Sequence, residues 1–108
     1  IVNSMNNIDK KINKAAVSDQ AKIKPPKKYA VYLLNDAFTP MDFVVNILQS
    51  VFMLSENQAV AVMLLVHHEG KGLCGIYTHD IAYTKQQQVT ARAQAQGYPL
   101  LSSVEETS

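Results

Sequence analysis

The chain of 108 residues contains no Trp and a single Cys, Cys74. One Cys cannot form an internal disulfide, so the sequence argues against a small secreted scaffold stapled by disulfides. No stretch approaches the roughly 20 apolar residues that span a bilayer as a helix. Residues 1–9 are polar and lack the apolar segment of a signal peptide. These absences predict a cytoplasmic protein with no membrane partner.

Arg is nearly absent as well, and the charges are unevenly spread. Residues 1–28 carry seven Lys and two Asp, a balance of +5, whereas residues 29–108 carry three basic and seven acidic side chains, a balance of −4. A basic segment can mark a nucleic-acid partner. This one has no Arg, and no aromatic residue before Tyr29 could stack on a base. We therefore predict no nucleic-acid partner.

Composition and the positions of proline predict one folded domain behind an extension. Apolar residues make up 47% of the chain and charged residues 18%, which suits a single domain with its own core. Residues 1–24 are rich in Asn, Lys, Ser and Ala and show no sustained apolar period, so they predict a flexible basic N-terminal extension. Pro25 and Pro26 end it, because proline has no amide hydrogen and forces extended backbone. The core domain is predicted over residues 25–108.

The first helix has a strong predicted start. Thr39 suits the N-cap, Pro40 the first helical position, and Asp42 is placed to reach back to the cap. We expect this helix to run to about Met53. A capping-box pattern that begins at Ser55 predicts a second helix after almost no linker, so the two should form a helical hairpin.

The other elements follow from β-prone runs and helix-ending glycines. Their order, β-α-α-β-α-β, predicts an α+β fold in which a small three-stranded antiparallel sheet packs against three helices. The second helix should end before Gly70, and Thr78 and Gly97 should bound the third. Strands are predicted at Tyr29–Leu34, Gly72–Tyr77 and about Pro99–Val104.

The second helix contains eight consecutive apolar residues, Ala59–Val66. A helix that is apolar all round should be covered by two neighbours. One stripe of this helix carries Ala59, Met63, Val66 and His67. On the first helix, Met41 and Val44 share a stripe. If these stripes face each other, they enclose an apolar slot.

The rim of that slot should hold His67 at one end and Asn35-Asp36 at the other. Each feature also has a plainer interpretation, since such stripes usually form core, a lone His is usually structural, and Asn-Asp is common turn chemistry. Their convergence favours a small cation that carries an apolar side chain.

Four separated motifs then identify a family resemblance. They are Asn35-Asp36-x-Phe-Thr-Pro-Met41, Met63-Leu-Leu-Val-His67-His-Glu-Gly-Lys-Gly-x-Cys74-Gly, Ala82-x-Thr84-Lys85 and Pro99-Leu100-Leu101. Together they resemble ClpS, the family of adaptors that deliver N-degron substrates to the bacterial Clp protease. The resemblance covers about residues 25–106. It implies that the chain recognises a free α-amino group and a first residue that is Leu, Phe, Tyr or Trp.

The resemblance also implies roles for individual residues. Contacts to the α-amino group are expected from Asn35, Asp36 and His67. The hydrophobic pocket is expected from Thr39, Met41, Val44, Met63, Val66 and Leu100. Docking on the N-terminal domain of the Clp AAA+ unfoldase, of the ClpA type, is expected from His68, Asp80 and Lys85.

Two positions depart from the family pattern. Ala37 stands where most relatives carry a second acid or Asn, so we transfer no amine contact to it and expect a less negative rim. His68 stands where the family usually has an aromatic residue, so docking is expected with altered detail.

An enzyme would have to use Cys74, His67 and Asp36. The local sequence supplies neither a helix N-terminus nor a cation that would activate Cys74, so a buried, inert thiol is the better interpretation. His67 and His68 point about 100° apart on a helix and suit one metal ion poorly. We predict no catalytic activity, no metal and no cofactor. The alternative to N-degron recognition is a generic protein–protein interaction module that does not read a terminal residue.

Overall fold

The structure is a computed structural model and describes residues 24–107. Six elements follow one another in the predicted order and form a three-stranded antiparallel sheet with three helices, which confirms the predicted fold class. The predicted extension, residues 1–24, lies outside the described residues except for Lys24. The elements are β1 (Lys28–Leu34), α1 (Met41–Ser50), α2 (Glu56–Glu69), β2 (Lys71–Tyr77), α3 (His79–Gln96) and β3 (Leu101–Thr107).

β1 is the central strand, with β2 and β3 on either side. Within it Val31 and Leu33 are fully buried two residues apart, as expected for one face of a strand. α3 contacts all three strands, whereas α1 and α2 pack on each other and α2 also contacts β2. The core therefore lies between one sheet face and the helices, and it includes Ile47, Leu48 and Val89. Within residues 24–107 no helix is both long enough and apolar enough to cross a membrane.

The ends of α1 differ from the prediction. Pro40, not Thr39, is the N-cap residue, and it makes no side-chain capping bond. The Thr39 hydroxyl instead donates to Asp36, and the Asp42 carboxylate accepts from the Phe43 amide. The Thr39 hydroxyl is therefore engaged outside the helix, and the Asp42 carboxylate bonds to the next amide instead of reaching back to the cap, so the predicted capping by Thr39 and Asp42 is wrong.

α1 also stops at Ser50, three residues before the predicted end at Met53. Met53 adopts a left-handed backbone conformation, with φ of 58°, which cannot continue an α-helix. The short connection that results leads straight into α2, so the predicted hairpin is present.

α2 begins as predicted. The Ser55 hydroxyl accepts from the Gln58 amide at 3.2 Å, and the Gln58 side chain accepts from the Ser55 amide at 3.0 Å, which completes the capping box. Gly70 ends the helix with φ of 91°, a conformation that glycine adopts without a Cβ penalty.

α2 has the two neighbours that the sequence predicted, α1 and β2, but part of its apolar surface stays exposed. Ala59 and Val66 are buried, but Val60, Leu64 and Leu65 are between 37% and 46% exposed. α1 and β2 therefore cover only part of the circumference of α2.

α3 begins after Thr78, as predicted, although the Thr78 side chain makes no capping bond, and it ends at Gly97 with φ of 76°. β3 starts two residues later than predicted, at Leu101 paired with Leu34, and it extends to Thr107. Pro99 cannot donate to a strand partner, which accounts for the later start.

Candidate functional site

A backbone hydrogen bond joins the end of β1 to the end of α2. The Asn35 amide donates to the Gly70 carbonyl oxygen at 2.8 Å. His67 lies in the last turn of α2, three residues before Gly70. The bond therefore anchors the loop of residues 35–40 beside the turn that carries His67.

Asp36 organises that loop. Its Oδ1 accepts from the backbone amides of Phe38 at 2.8 Å and Thr39 at 2.7 Å, and its Oδ2 accepts from the Thr39 hydroxyl at 2.7 Å. A carboxylate offers about four lone-pair sites, so three of them are already occupied. The remaining capacity can serve a ligand.

These bonds also set the charge of Asp36. Burial by itself would raise its pKa, but the hydrogen bonds from the Thr39 hydroxyl and from the amides of Phe38 and Thr39 outweigh that effect. The pKa of Asp36 therefore lies below its ordinary value, and the side chain is a carboxylate at neutral pH.

A cavity of about 250 Å³ opens between this loop, the start of α1 and the C-terminal half of α2. Val44 and Val66 are buried in its walls, Met63 is half-buried, and Met41 is 47% exposed at the beginning of α1. The lining residues are Asn35, Asp36, Ala37, Thr39, Met41, Val44, Met63, Val66 and His67.

The structure thus brings together nearly all the residues that the sequence singled out for the slot. Leu100 is the exception: it is 3% exposed in the hydrophobic core and does not line this cavity. Ala37 lines the cavity although the sequence assigned it no contact. The sequence could have pointed to Ala37, because it lies between Asp36 and Thr39, which were both singled out.

The cavity combines two chemistries. Its apolar walls come from methionine and valine side chains, and its polar rim from Asn35, Asp36 and His67. Asp36 is the one carboxylate in this lining, and it gives the rim a negative charge. Such a site suits a ligand with a cationic head, able to donate hydrogen bonds, and an apolar side chain.

The three residues expected to dock on an unfoldase lie apart from this cavity. His68 is exposed near the end of α2, and Asp80 is exposed in the first turn of α3, with its side chain 98% accessible. The Lys85 ammonium is engaged within the domain, since it donates to the Val51 carbonyl oxygen at 2.7 Å and lies 5.7 Å from the Tyr77 ring centroid. Lys85 therefore has a structural contact that the sequence did not reveal.

Cys74 lies in the core. It is 4% exposed, and its Sγ lies 3.6 Å from the Gly72 carbonyl oxygen. Burial raises the pKa of this thiol to about 12, more than offsetting the lowering effect of a hydrogen bond with the Leu33 backbone. The nucleophilic thiolate is thus strongly disfavoured at neutral pH. Within the part of the chain that the structure describes, no group of three or more His, Cys, Asp or Glu side chains could hold a metal ion.

Comparisons with known proteins agree on one family. Residues 24–103 match the family model for the ATP-dependent Clp protease adaptor protein ClpS. The ClpS adapter of Neisseria meningitidis serogroup B is 70% identical over 82 residues, which are 76% of this chain and 82% of that protein. The ClpS adapter of Burkholderia cenocepacia is 48% identical over 98 residues, which are 91% of this chain and 94% of that protein.

A solved structure extends the agreement to three dimensions. The structure of Agrobacterium tumefaciens ClpS2 bound to L-phenylalaninamide superposes with a TM-score of 0.75 at 37% identity. The match covers 77% of this chain and all of that one.

Proposed function

The chain belongs to the ClpS family of Clp protease adaptors, and from that premise we propose that it binds the free α-amino group and the bulky hydrophobic first residue of N-degron substrates. The first residue would be Leu, Phe, Tyr or Trp. The adaptor would deliver these substrates, in the bacterial cytoplasm, to the Clp AAA+ unfoldase for degradation. The observation that carries the proposal is the cavity in which Asp36, Asn35 and His67 edge an apolar slot.

The polar rim matches the chemistry of a free chain terminus. An α-amino group has a pKa of about 8, so at neutral pH it is mostly an ammonium with three hydrogens to donate. The Asp36 carboxylate supplies a counter-charge and a free acceptor site, the Asn35 side-chain oxygen is a second acceptor, and an unprotonated ring nitrogen of His67 can serve as a third. An acetylated terminus has no charge and would leave this rim unpaired.

The slot matches one side chain rather than a larger ligand. Its volume of about 250 Å³ falls below the roughly 300–1,000 Å³ of sites for drug-sized molecules. We assign the walls to Thr39, Met41, Val44, Met63 and Val66. Leu100 lies in the buried core together with Val44 and Val66. Because Leu100 is buried and does not line the cavity, we do not assign it to the walls.

The expected affinity suits a reversible adaptor. Burial of a Leu or Phe side chain contributes roughly 1.5–3 kcal/mol, and each hydrogen bond that involves a charged group roughly 1.5–3 kcal/mol. Association and peptide ordering oppose binding by several kcal/mol. The balance gives a dissociation constant on the order of 1 μM.

Delivery requires a second surface. We assign docking on the N-terminal domain of a ClpA-type unfoldase to His68, Asp80 and Lys85. The basic extension, residues 1–24, is assigned to hand-off, and residues 25–108 to recognition and docking. Deletion of residues 1–20 is then expected to leave peptide affinity and docking unchanged and to block degradation of an N-degron protein.

A peptide titration tests the proposal. Fluorescent peptides that begin with Leu or Phe should bind, whereas the same peptides with an initial Met or an acetylated Leu should bind at least tenfold more weakly. His67→Ala should abolish binding while thermal melts stay unchanged, since His67 is exposed. His68→Ala is the matched control on the same helix and should retain peptide binding.

The competing function is a generic protein–protein interaction module. The exposed apolar side chains of α2, Val60, Leu64 and Leu65, are the feature that favours it. Under that function the Leu-initiated and Met-initiated peptides would bind equally, or neither would bind. Either result would contradict N-terminal recognition.

A further inference from the structure

A second concavity lies beside the loop that edges the candidate site. It is a shallow groove of about 570 Å³, lined by Phe38, Gln94, Gly97, Tyr98 and Pro99. The groove is separate from the cavity described above, because the two linings share no residue. Two aromatic side chains, Phe38 and Tyr98, belong to its lining. Phe38 is 79% exposed, an unusual state for a Phe of a folded domain.

The groove is held in place on both sides. The Phe38 amide donates to Asp36 Oδ1 at 2.8 Å, which fixes the backbone that presents the Phe38 ring. On the opposite side the Tyr98 ring packs edge-on against Phe43 of α1, with ring centroids 4.8 Å apart. Exposed aromatic side chains on a fixed backbone lose little entropy when they bind, so they make good anchors for a partner.

The groove and the cavity meet at one backbone segment. Ala37 and Thr39 line the cavity, and Phe38 between them lines the groove. Neighbouring Cα atoms are about 3.8 Å apart, and an extended peptide advances roughly 3.3–3.6 Å per residue. A polypeptide whose first residue fills the cavity, and whose chain then passes over Phe38, would reach the groove within roughly its next two residues.

Resting on the proposed function, we propose that this groove is a subsite for the second or third residue of an N-degron substrate, with preference for a large apolar or aromatic side chain. The described residues that line it carry no charge, so an Asp or Glu at that point of the substrate would lose hydration without gaining an ion pair. The subsite makes the adaptor selective beyond the first residue.

Positional variation in peptides tests the subsite. In titrations of the full chain, a peptide that begins Leu-Phe or Leu-Gly-Phe should bind roughly 3- to 10-fold more tightly than the same peptide that begins Leu-Gly-Gly. Replacement of that Phe by Asp should remove the gain. Phe38→Ser should bring the Phe and Gly peptides within about twofold of each other and leave the Leu-Gly-Gly peptide unaffected.

Met53→Ser is the matched control, because Met53 is 77% exposed but lies in the α1–α2 connection, outside the groove. It should keep the wild-type preference. Equal binding of all Leu-initiated peptides by the wild type overturns the subsite, and so does a preference that survives in Phe38→Ser or disappears in Met53→Ser. Failure of every Leu-initiated peptide to bind would instead overturn the proposed function, and the subsite with it.

Discussion

Thr39 donates to both oxygens of the Asp36 carboxylate, through its amide to Oδ1 and through its hydroxyl to Oδ2, each at 2.7 Å. Asp36 thus has two tasks: it shapes the loop before α1, and it places negative charge at the rim of the cavity. The hydroxyl bond also explains why Thr39 does not cap α1. The geometry of the candidate site depends on this pair.

Removal of the hydroxyl should affect both tasks. Thr39→Val keeps the side-chain volume and the amide bond but removes the bond to Oδ2. The pKa of Asp36 should then rise, since one of the groups that lower it is gone, and the free energy of unfolding should fall by roughly 1 kcal/mol. NMR titration of the Asp36 carboxyl group measures the change in pKa, and urea denaturation measures the change in stability. Thr84→Val, at an exposed position of α3, is the control and should change neither.

The lowered pKa of Asp36 gives a definite pH dependence. A carboxylate whose pKa is lower in the folded state stabilises the fold above its unfolded pKa of about 3.9, and this contribution is lost as the pH falls through the folded pKa. The stability advantage of the wild type over Asp36→Asn should thus be present at pH 6 and shrink as the pH falls below about 4. Urea denaturation of both proteins at several pH values measures it, and an equal advantage at pH 6 and at pH 2.5 would contradict the assignment.

The sequence predicted much of this architecture because its strongest signals were local. The capping box at Ser55, the glycines at positions 70 and 97 and the β-prone run of β1 each act through neighbouring residues, and the structure has all of them. The two valines and two methionines of the slot were also found, since helical periodicity places them on facing stripes.

Features that depend on contacts between distant or competing groups were not predictable in this way. Thr39 suits an N-cap by its type, but the Asp36 carboxylate competes for its hydroxyl. Lys85 bonds to Val51, 34 positions away, a contact that no local pattern reveals. The exposed side of α2 depends on how many neighbours the hairpin has, which eight apolar residues in a row do not specify.

Met41 should act as a gate against β-branched first residues. It lines the cavity from the first position of α1 and is 47% exposed, so we expect its flexible side chain to collide with the Cβ branch of Ile or Val. Met41→Ala should therefore admit Ile-initiated and Val-initiated peptides while Leu-initiated peptides still bind. A titration with all three peptides checks this, and unchanged discrimination would remove Met41 from the gate.

Ala37 offers a gain-of-function test. It is exposed and lines the cavity next to Asp36, so Ala37→Asp adds negative charge to the rim without disturbing the core. Binding of a Leu-initiated peptide should tighten by roughly 2- to 5-fold at low salt, and the gain should diminish at high salt because exposed charges are screened. Ala37→Asn adds a side chain of similar size without the charge, so it separates the effect of charge on affinity from the effect of size. An affinity unchanged by Asp would mean that position 37 does not sense the α-amino group.

Lys85 should prove structural as well as functional. Its ammonium donates to the carbonyl oxygen of Val51, the C-cap residue of α1, and thereby links α3 to the first helix. Lys85→Met keeps most of the apolar stem and removes this donor. The free energy of unfolding should fall by roughly 1 kcal/mol, which for a domain of this size lowers Tm by about 4–8 °C.

A variant of Asp80 can be compared with the Lys85 variant to separate the effect on stability from the effect on docking. Its side chain is 98% accessible and bonds only to neighbouring His79 among the residues described, so Asp80→Asn should leave Tm unchanged and weaken docking on an isolated unfoldase N-terminal domain. Lys85→Met should lower Tm and weaken docking together. If it weakened docking at an unchanged Tm, the bond to Val51 would contribute nothing to stability, and Lys85 would serve the partner alone. If it lowered Tm and left docking intact, Lys85 would belong to the fold and not to the docking surface.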